Sequence, residues 1–175
     1  MRDESLQLGT TLQLWYELVR ESEDRVRTRL PEIIESYLVF MLQRHQGDAV
    51  LGQRVLALDW LGGQELVGCE RADALRDVGD RCLLIAGFFP RVAERRNVRP
   101  GYYAALGQAA YGEVAAVARA GYAELFARLA RAFDAMLRVL GNLRATPGLH
   151  AASPLVVAAP AWQAEFADVI AGRLH

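Results

Sequence analysis

Residues 122–143 read YAELFARLARAFDAMLRVLGNL, and this stretch decides the fold. Tyr122, Phe126, Leu129, Phe133, Met136, Leu140 and Leu143 recur at spacings of four and three without interruption, the pattern of one face of an amphipathic helix. Leu125 and Leu137 widen that face beyond a two-position seam, which favours packing in a globular bundle over an isolated coiled coil. Glu124–Arg128 and Asp134–Arg138 stand four apart on the opposite side, in the order that stabilises a helix surface. One long helix is expected across these residues.

The pattern continues in both directions. Pro100 is placed to open a helix rich in small residues, among them Ala105, Gly107, Ala109 and Gly112, so a neighbouring helix is expected to approach it closely. From Arg71 onward, Leu75, Val78, Cys82, Ile85 and Phe89 recur at three and four, with Leu84 and Phe88 on a second face. This predicts a central helix that Pro90 ends, followed by a short basic segment. A shorter helix is expected over 51–61, stopping at Gly62-Gly63, with a loop near 64–68. Pro31 suits the first position of a helix carrying Ile33, Ile34, Tyr37, Leu38, Met41 and Leu42 and ending near His45. Thr10-Thr11-Leu12-Gln13 fits a capping box, which predicts that the first helix begins there, with Trp15, Leu18 and Val19 facing inward.

On the C-terminal side, a Pro/Ala/Gly linker over 145–159 leads to a last helix over 160–171 with Trp162, Phe166 and Ile170, expected to dock on this chain or on a second copy. No alternating strand pattern competes apart from Leu155-Val156-Val157. The sequence therefore reads as all-α, a single-domain bundle of six to eight helices spanning 1–175.

Composition narrows the chemistry. The chain has 175 residues, 53% of them apolar, with 20 basic and 21 acidic side chains and a net charge of −1. Every basic residue is arginine, which excludes a Schiff-base lysine, a P-loop lysine and a lysine general base. Near-neutral charge argues against coating nucleic acid or anionic membrane by bulk electrostatics. The start, Met1-Arg2-Asp3-Glu4, lacks the apolar run of a signal peptide, and Cys69 and Cys82 do not suggest a disulfide framework, so the cytoplasm is the expected compartment. The uncharged stretch 145–164 contains Pro147, Pro154 and Pro160, so no membrane-spanning helix is expected.

The distribution of charge is more informative than its total. Residues 46–75 carry −3 and residues 76–100 carry +3. Arg91, Arg95, Arg96 and Arg99 gather at the bend before Pro100, against the single acid Glu94 and just ahead of Tyr102 and Tyr103. Guanidinium groups fork onto phosphate or carboxylate, and a helix start adds backbone donors, so these six residues form the candidate anion site. The competing explanation is that the arginines pair with the acidic first third of the chain.

A second charged cluster, Arg76, Asp77, Asp80 and Arg81, has Asp77–Arg81 in the favourable i,i+4 order and is explained as structural ion pairing without a substrate. No catalytic residue is assigned. His45, His150 and His175 are scattered, with no HxxxH, HExxH, CxxC or ExxH pairing, so neither a metal nor another cofactor is expected. His45 is explained by the dipole of the helix it ends. Cys82, flanked by Leu83-Leu84-Ile85, reads as a core residue with a raised pKa. GxSxG, GxGxxG and GxxxxGK are absent.

The run Val78-Gly79-Asp80-Arg81-Cys82-Leu83-Leu84, with Phe88-Phe89-Pro90, Tyr102-Tyr103, Leu106-Gly107 and Ala110-Tyr111, resembles a family of uncharacterised helical proteins from bacteria. The likeness covers about residues 75–144. It implies a helical bundle and a bacterial origin, and carries no activity, cofactor or assigned site.

Three functional expectations follow from these residues. The leading one is a non-enzymatic helical protein acting through protein contacts, its partner a second copy or another protein, with the 100–118 or 160–171 helix at the interface. The alternative is a binding protein or enzyme that takes an anionic small molecule at the Arg91–Arg99 bend. The third is nucleic-acid binding at the same bend, which requires an affinity falling steeply with salt.

Overall fold

The computed structural model describes residues 2–46, 51 and 54–145. The described residues form eight helices and no strand: α1 (Arg2–Val26), α2 (Glu32–His45), α3 (Leu56–Glu65), α4 (Gly68–Gly87), α5 (Pro90–Arg95), α6 (Pro100–Val117), α7 (Ala120–Arg131) and α8 (Phe133–Arg144). The fold is all-α. The chain divides into two compact units, residues 1–51 with 139–175, and residues 52–138. The linker expected after residue 145 and the helix expected over 160–171 lie outside the described residues.

In the first unit α2 packs on α1. Trp15, Leu18 and Val19 of α1 and Ile34, Leu38, Met41 and Leu42 of α2 are buried. Each such aliphatic side chain contributes roughly 1.5–3 kcal/mol of transfer free energy. Helix α1 begins at Arg2, so Thr10 lies inside it and does not cap it. Residues 2–8 are mostly strong helix formers, and Gly9 alone costs about 1 kcal/mol, too little to stop propagation.

Pro31 precedes α2 as its N-cap residue instead of occupying the first turn. The buried stripe of α2 is also rotated from the expected one: Ile33 is 46% exposed, while Glu35, Val39 and His45 are buried. Glu35 tolerates this position because Arg20 of α1 donates to its Oε1 at 2.7 Å. The turn between the helices closes with Arg27 in the left-handed region (φ 51°). Arg27 N–H donates to Asp24 C=O at 3.3 Å and Thr28 N–H to Glu23 C=O at 3.0 Å, the double bond of a Schellman ending.

In the second unit α4 is the central helix, packed against α3, α5 and α6, and α7 packs on α6. Leu75, Val78, Cys82, Leu83, Leu84, Ile85, Phe88 and Phe89 are all buried, as the double-faced pattern requires. The close approach expected of α6 is observed. A Cβ built on Gly107 of α6 lies 2.6 Å from Phe133 Cζ and 2.8 Å from Cys82 Cβ, and one on Gly79 of α4 lies 2.5 Å from Tyr111 Cδ1. Ordinary carbon contacts need about 3.5–4.0 Å, so only glycine fits at either position. Tyr111 is fully buried, stacked edge-on against Phe126 and Phe133, and its hydroxyl donates to Asp80 Oδ1 at 2.7 Å.

Three boundaries differ from the sequence expectation. Helix α3 starts at Leu56 and runs through Gly62-Gly63 instead of stopping there. Gly63 is buried against α4, where a Cβ would sit 3.1 Å from Leu75 Cδ2, so this glycine serves helix packing and not a cap. The break falls at Leu66-Val67, inside the loop expected near 64–68, and Gly68, with φ +58° in the region that favours glycine, opens α4. The basic segment after Pro90 is itself the short helix α5. The long helix expected over 122–143 is interrupted at Ala132 (φ −86°, ψ 3°). Ala132 N–H still donates to Arg128 C=O and Met136 N–H to Ala132 C=O, both at 2.9 Å, so the apolar spacing stays in phase through the departure.

Candidate functional site

The bend between α5 and α6 is built by a Schellman ending like that of α1. Val98 N–H donates to Ala93 C=O at 3.0 Å and Asn97 N–H to Glu94 C=O at 2.9 Å, with Asn97 at φ 54°. Asparagine is among the few residues that accept the left-handed region at small cost. Arg99 then returns to extended geometry and Pro100 starts α6, with Tyr102 N–H donating to Arg99 C=O at 2.9 Å.

This turn overhangs the start of α3 and encloses an open groove of about 830 Å³. Its polar rim is Arg96, Arg99, Tyr102 and Asn97; Val55, Leu56 and Val98 supply apolar wall, and Tyr103 lies behind Tyr102. The two tyrosine rings meet edge to face at 5.6 Å between centroids. Tyr103 is buried, whereas Tyr102 is 47% exposed and Val55 54% exposed. Among the described residues no acid lines the groove.

The two arginines have different surroundings. Arg96 donates through Nη1 to the backbone carbonyl of Arg54, which ties the end of α5 to the approach to α3. Arg54 itself is held by Asp59, with N–O distances of 2.9 Å. Arg99 is exposed, and among the described residues no carboxylate pairs with it. A guanidinium has five N–H donors in a planar fork, and at least one of those of Arg96 braces the fold.

Of the six residues nominated for an anion site, four share this groove: Arg96, Arg99, Tyr102 and Tyr103. Arg91 and Arg95, both on α5, are not among its lining residues. The wall formed by Val55 and Leu56 was not legible in the sequence, because the helix expected over 51–61 put Val55 within its length and not at its entrance. Asn97 did carry a signal, since an asparagine between two helices marks a left-handed position.

The second charged cluster lies along α4. Arg81 Nε donates to Asp77 Oδ2 at 2.8 Å. Arg76 reaches Asp73 at 3.5 Å and donates to the hydroxyl of Tyr122 at 3.0 Å. Asp80 is wholly buried and accepts from Tyr111. Burial pushes the Cys82 thiol far above its usual range, which withholds the thiolate needed for nucleophilic chemistry. Cys69 is exposed beside a smaller cleft of about 350 Å³ whose charges, Asp73 and Arg119, are of opposite sign. Among the described residues no group of three or more metal-ligating side chains converges, and no helix is long and apolar enough to cross a membrane.

The chain matches no protein-family model, no curated protein and no solved structure.

Proposed function

We propose that this protein binds a small anionic molecule in the groove between the α5–α6 bend and the start of α3. The observation that carries the reading is the convergence of Arg96 and Arg99 with two tyrosines on one concavity that has no acid among its described lining residues. A volume of about 830 Å³ suits a drug-sized ligand. Arginine forks are the side-chain geometry best matched to carboxylate and phosphate. The reading assigns binding and no catalytic step, and a bacterial, cytoplasmic setting is proposed with it.

Ligand binding to the folded state raises stability by RT ln(1 + [L]/Kd), about 2.7 kcal/mol at a hundredfold excess over Kd. A thermal-shift series over organic and inorganic anions is expected to raise the melting temperature for at least one class. Arg99→Gln is expected to remove that shift with the ligand-free melting temperature unchanged, since Arg99 is an exposed side chain. No shift with any anion, or an undiminished shift in the variant, would overturn the reading.

Protein contact is a second reading, favoured by a different observation. Leu58 (63%), Leu61 (55%) and Val67 (80%) are exposed on α3 and the turn that follows it. The interface expected on the 100–118 helix thus has a stronger apolar candidate on α3. A second copy is the occupant we favour, because a net charge of −1 leaves little repulsion between copies. Sedimentation velocity across a hundredfold concentration range is expected to reveal a dimer that Leu58→Glu disperses. A chain that stays monomeric throughout removes this reading.

A further inference from the structure

We infer that the ligand of this groove is amphiphilic: a single carboxylate or phosphate head on an apolar body, with the head at Arg99 and Arg96 and the body along Val55, Leu56 and Val98. This rests on the anion-binding reading above and goes further by specifying the rest of the molecule.

The groove brings two kinds of surface close together. The Arg99 guanidinium stands exposed at the α5–α6 bend, and Arg96 is tied to the Arg54 carbonyl. The same groove is lined by Val55 and the ring of Tyr102, each about half exposed. An inorganic anion would meet the guanidinium groups and leave that apolar wall in water. A neutral hydrocarbon would cover the wall and leave the exposed Arg99 guanidinium without a counter-charge. Only a molecule with both parts satisfies both, and with no acid among the described lining residues the charge of the head is negative.

The ordinary contribution of a buried methylene predicts how affinity changes with chain length. Each added CH2 that enters the groove tightens binding about fourfold, until the groove is filled. Loss of a charge-assisted hydrogen bond weakens binding roughly tenfold or more.

The test is calorimetric titration of the full chain with straight-chain carboxylates from butanoate to decanoate, with 1-octanol and inorganic phosphate as the single-feature probes, on the unsubstituted protein, Arg99→Gln and Val55→Ser. The expected result is affinity that climbs with chain length, falls about tenfold in Arg99→Gln, and in Val55→Ser loses its dependence on length while short carboxylates bind as before. Phosphate binding as tightly as the longest carboxylate, lost in Arg99→Gln, overturns the amphiphile and leaves the anion groove standing. Octanol binding as tightly as octanoate overturns both, as does the absence of any binding. Circular dichroism of both variants, whose changed residues are exposed, confirms that each reading is taken on folded protein.

Discussion

Gly79→Ala is expected to destabilise the protein by about 2 kcal/mol, a fall in melting temperature of roughly 4–8 °C. An alanine in a helix normally gains about 1 kcal/mol over glycine, so the expected sign is opposite to the usual one. The reason is the ring of Tyr111. The new methyl would stand 2.5 Å from its Cδ1, and the ring cannot withdraw, being packed against Phe126 and Phe133 and tied through its hydroxyl to Asp80. Overpacking against an immobile neighbour costs about 3 kcal/mol, which exceeds the propensity gain. Gly112 on α6 is the internal control: it is exposed with nothing near its Cβ position, and Gly112→Ala is expected to stabilise by roughly 0.5–1 kcal/mol. Chemical denaturation of the two variants decides the matter, and two shifts of the same sign would contradict the close crossing of α4 and α6.

Glu23→Ala is expected to cost about 3 kcal/mol. The Glu23 side chain is completely buried, its Oε1 accepting the N–H of Leu30 at 2.9 Å and its Oε2 facing Arg29 Nη1 at 3.4 Å. Its own carbonyl also accepts the N–H of Thr28, so one residue holds three successive positions of the α1–α2 turn. Truncation leaves the buried Leu30 N–H without its acceptor, a penalty of about 1–3 kcal/mol, and opens a void beside it. Glu23→Gln keeps an oxygen for Leu30 and gives up the charge facing a mostly exposed Arg29, so it is expected to recover more than half of the loss. Equal destabilisation by both variants in urea unfolding would show that the charge, and not the acceptor, closes the turn.

How much of this was legible in the sequence varies residue by residue. The apolar series from Phe126 to Leu143 marked the buried positions correctly, because a 4-3 spacing is a direct projection of the helical period. The same series was blind to the departure at Ala132, since one residue of altered dihedral leaves the spacing intact. Gly62 and Gly63 were read as a stop signal and are instead part of α3. Glycine has two uses in a helical protein, ending helices and admitting neighbours, and a single sequence does not say which applies. Ile33 and Ile34 are chemically alike and adjacent, yet one is exposed and the other buried; the rotation of α2 about its axis is set by what packs on it.

The sequence by itself determined the helical class, the burial of the central α4 helix, and the gathering of arginines and tyrosines near residues 91–103. These are properties of periodicity and of neighbours along the chain. Only the tertiary structure decided that Arg96 and Arg99 share a groove while Arg91 and Arg95 do not line it, and that the facing wall comes from Val55 and Leu56, more than 35 residues earlier. The physical reason is that a binding concavity needs surfaces from separate elements. Which elements meet here was set by the left-handed turn at Asn97 and by the hydrogen bond from Arg96 to a backbone carbonyl, whose acceptor carries no side-chain identity for a sequence to display.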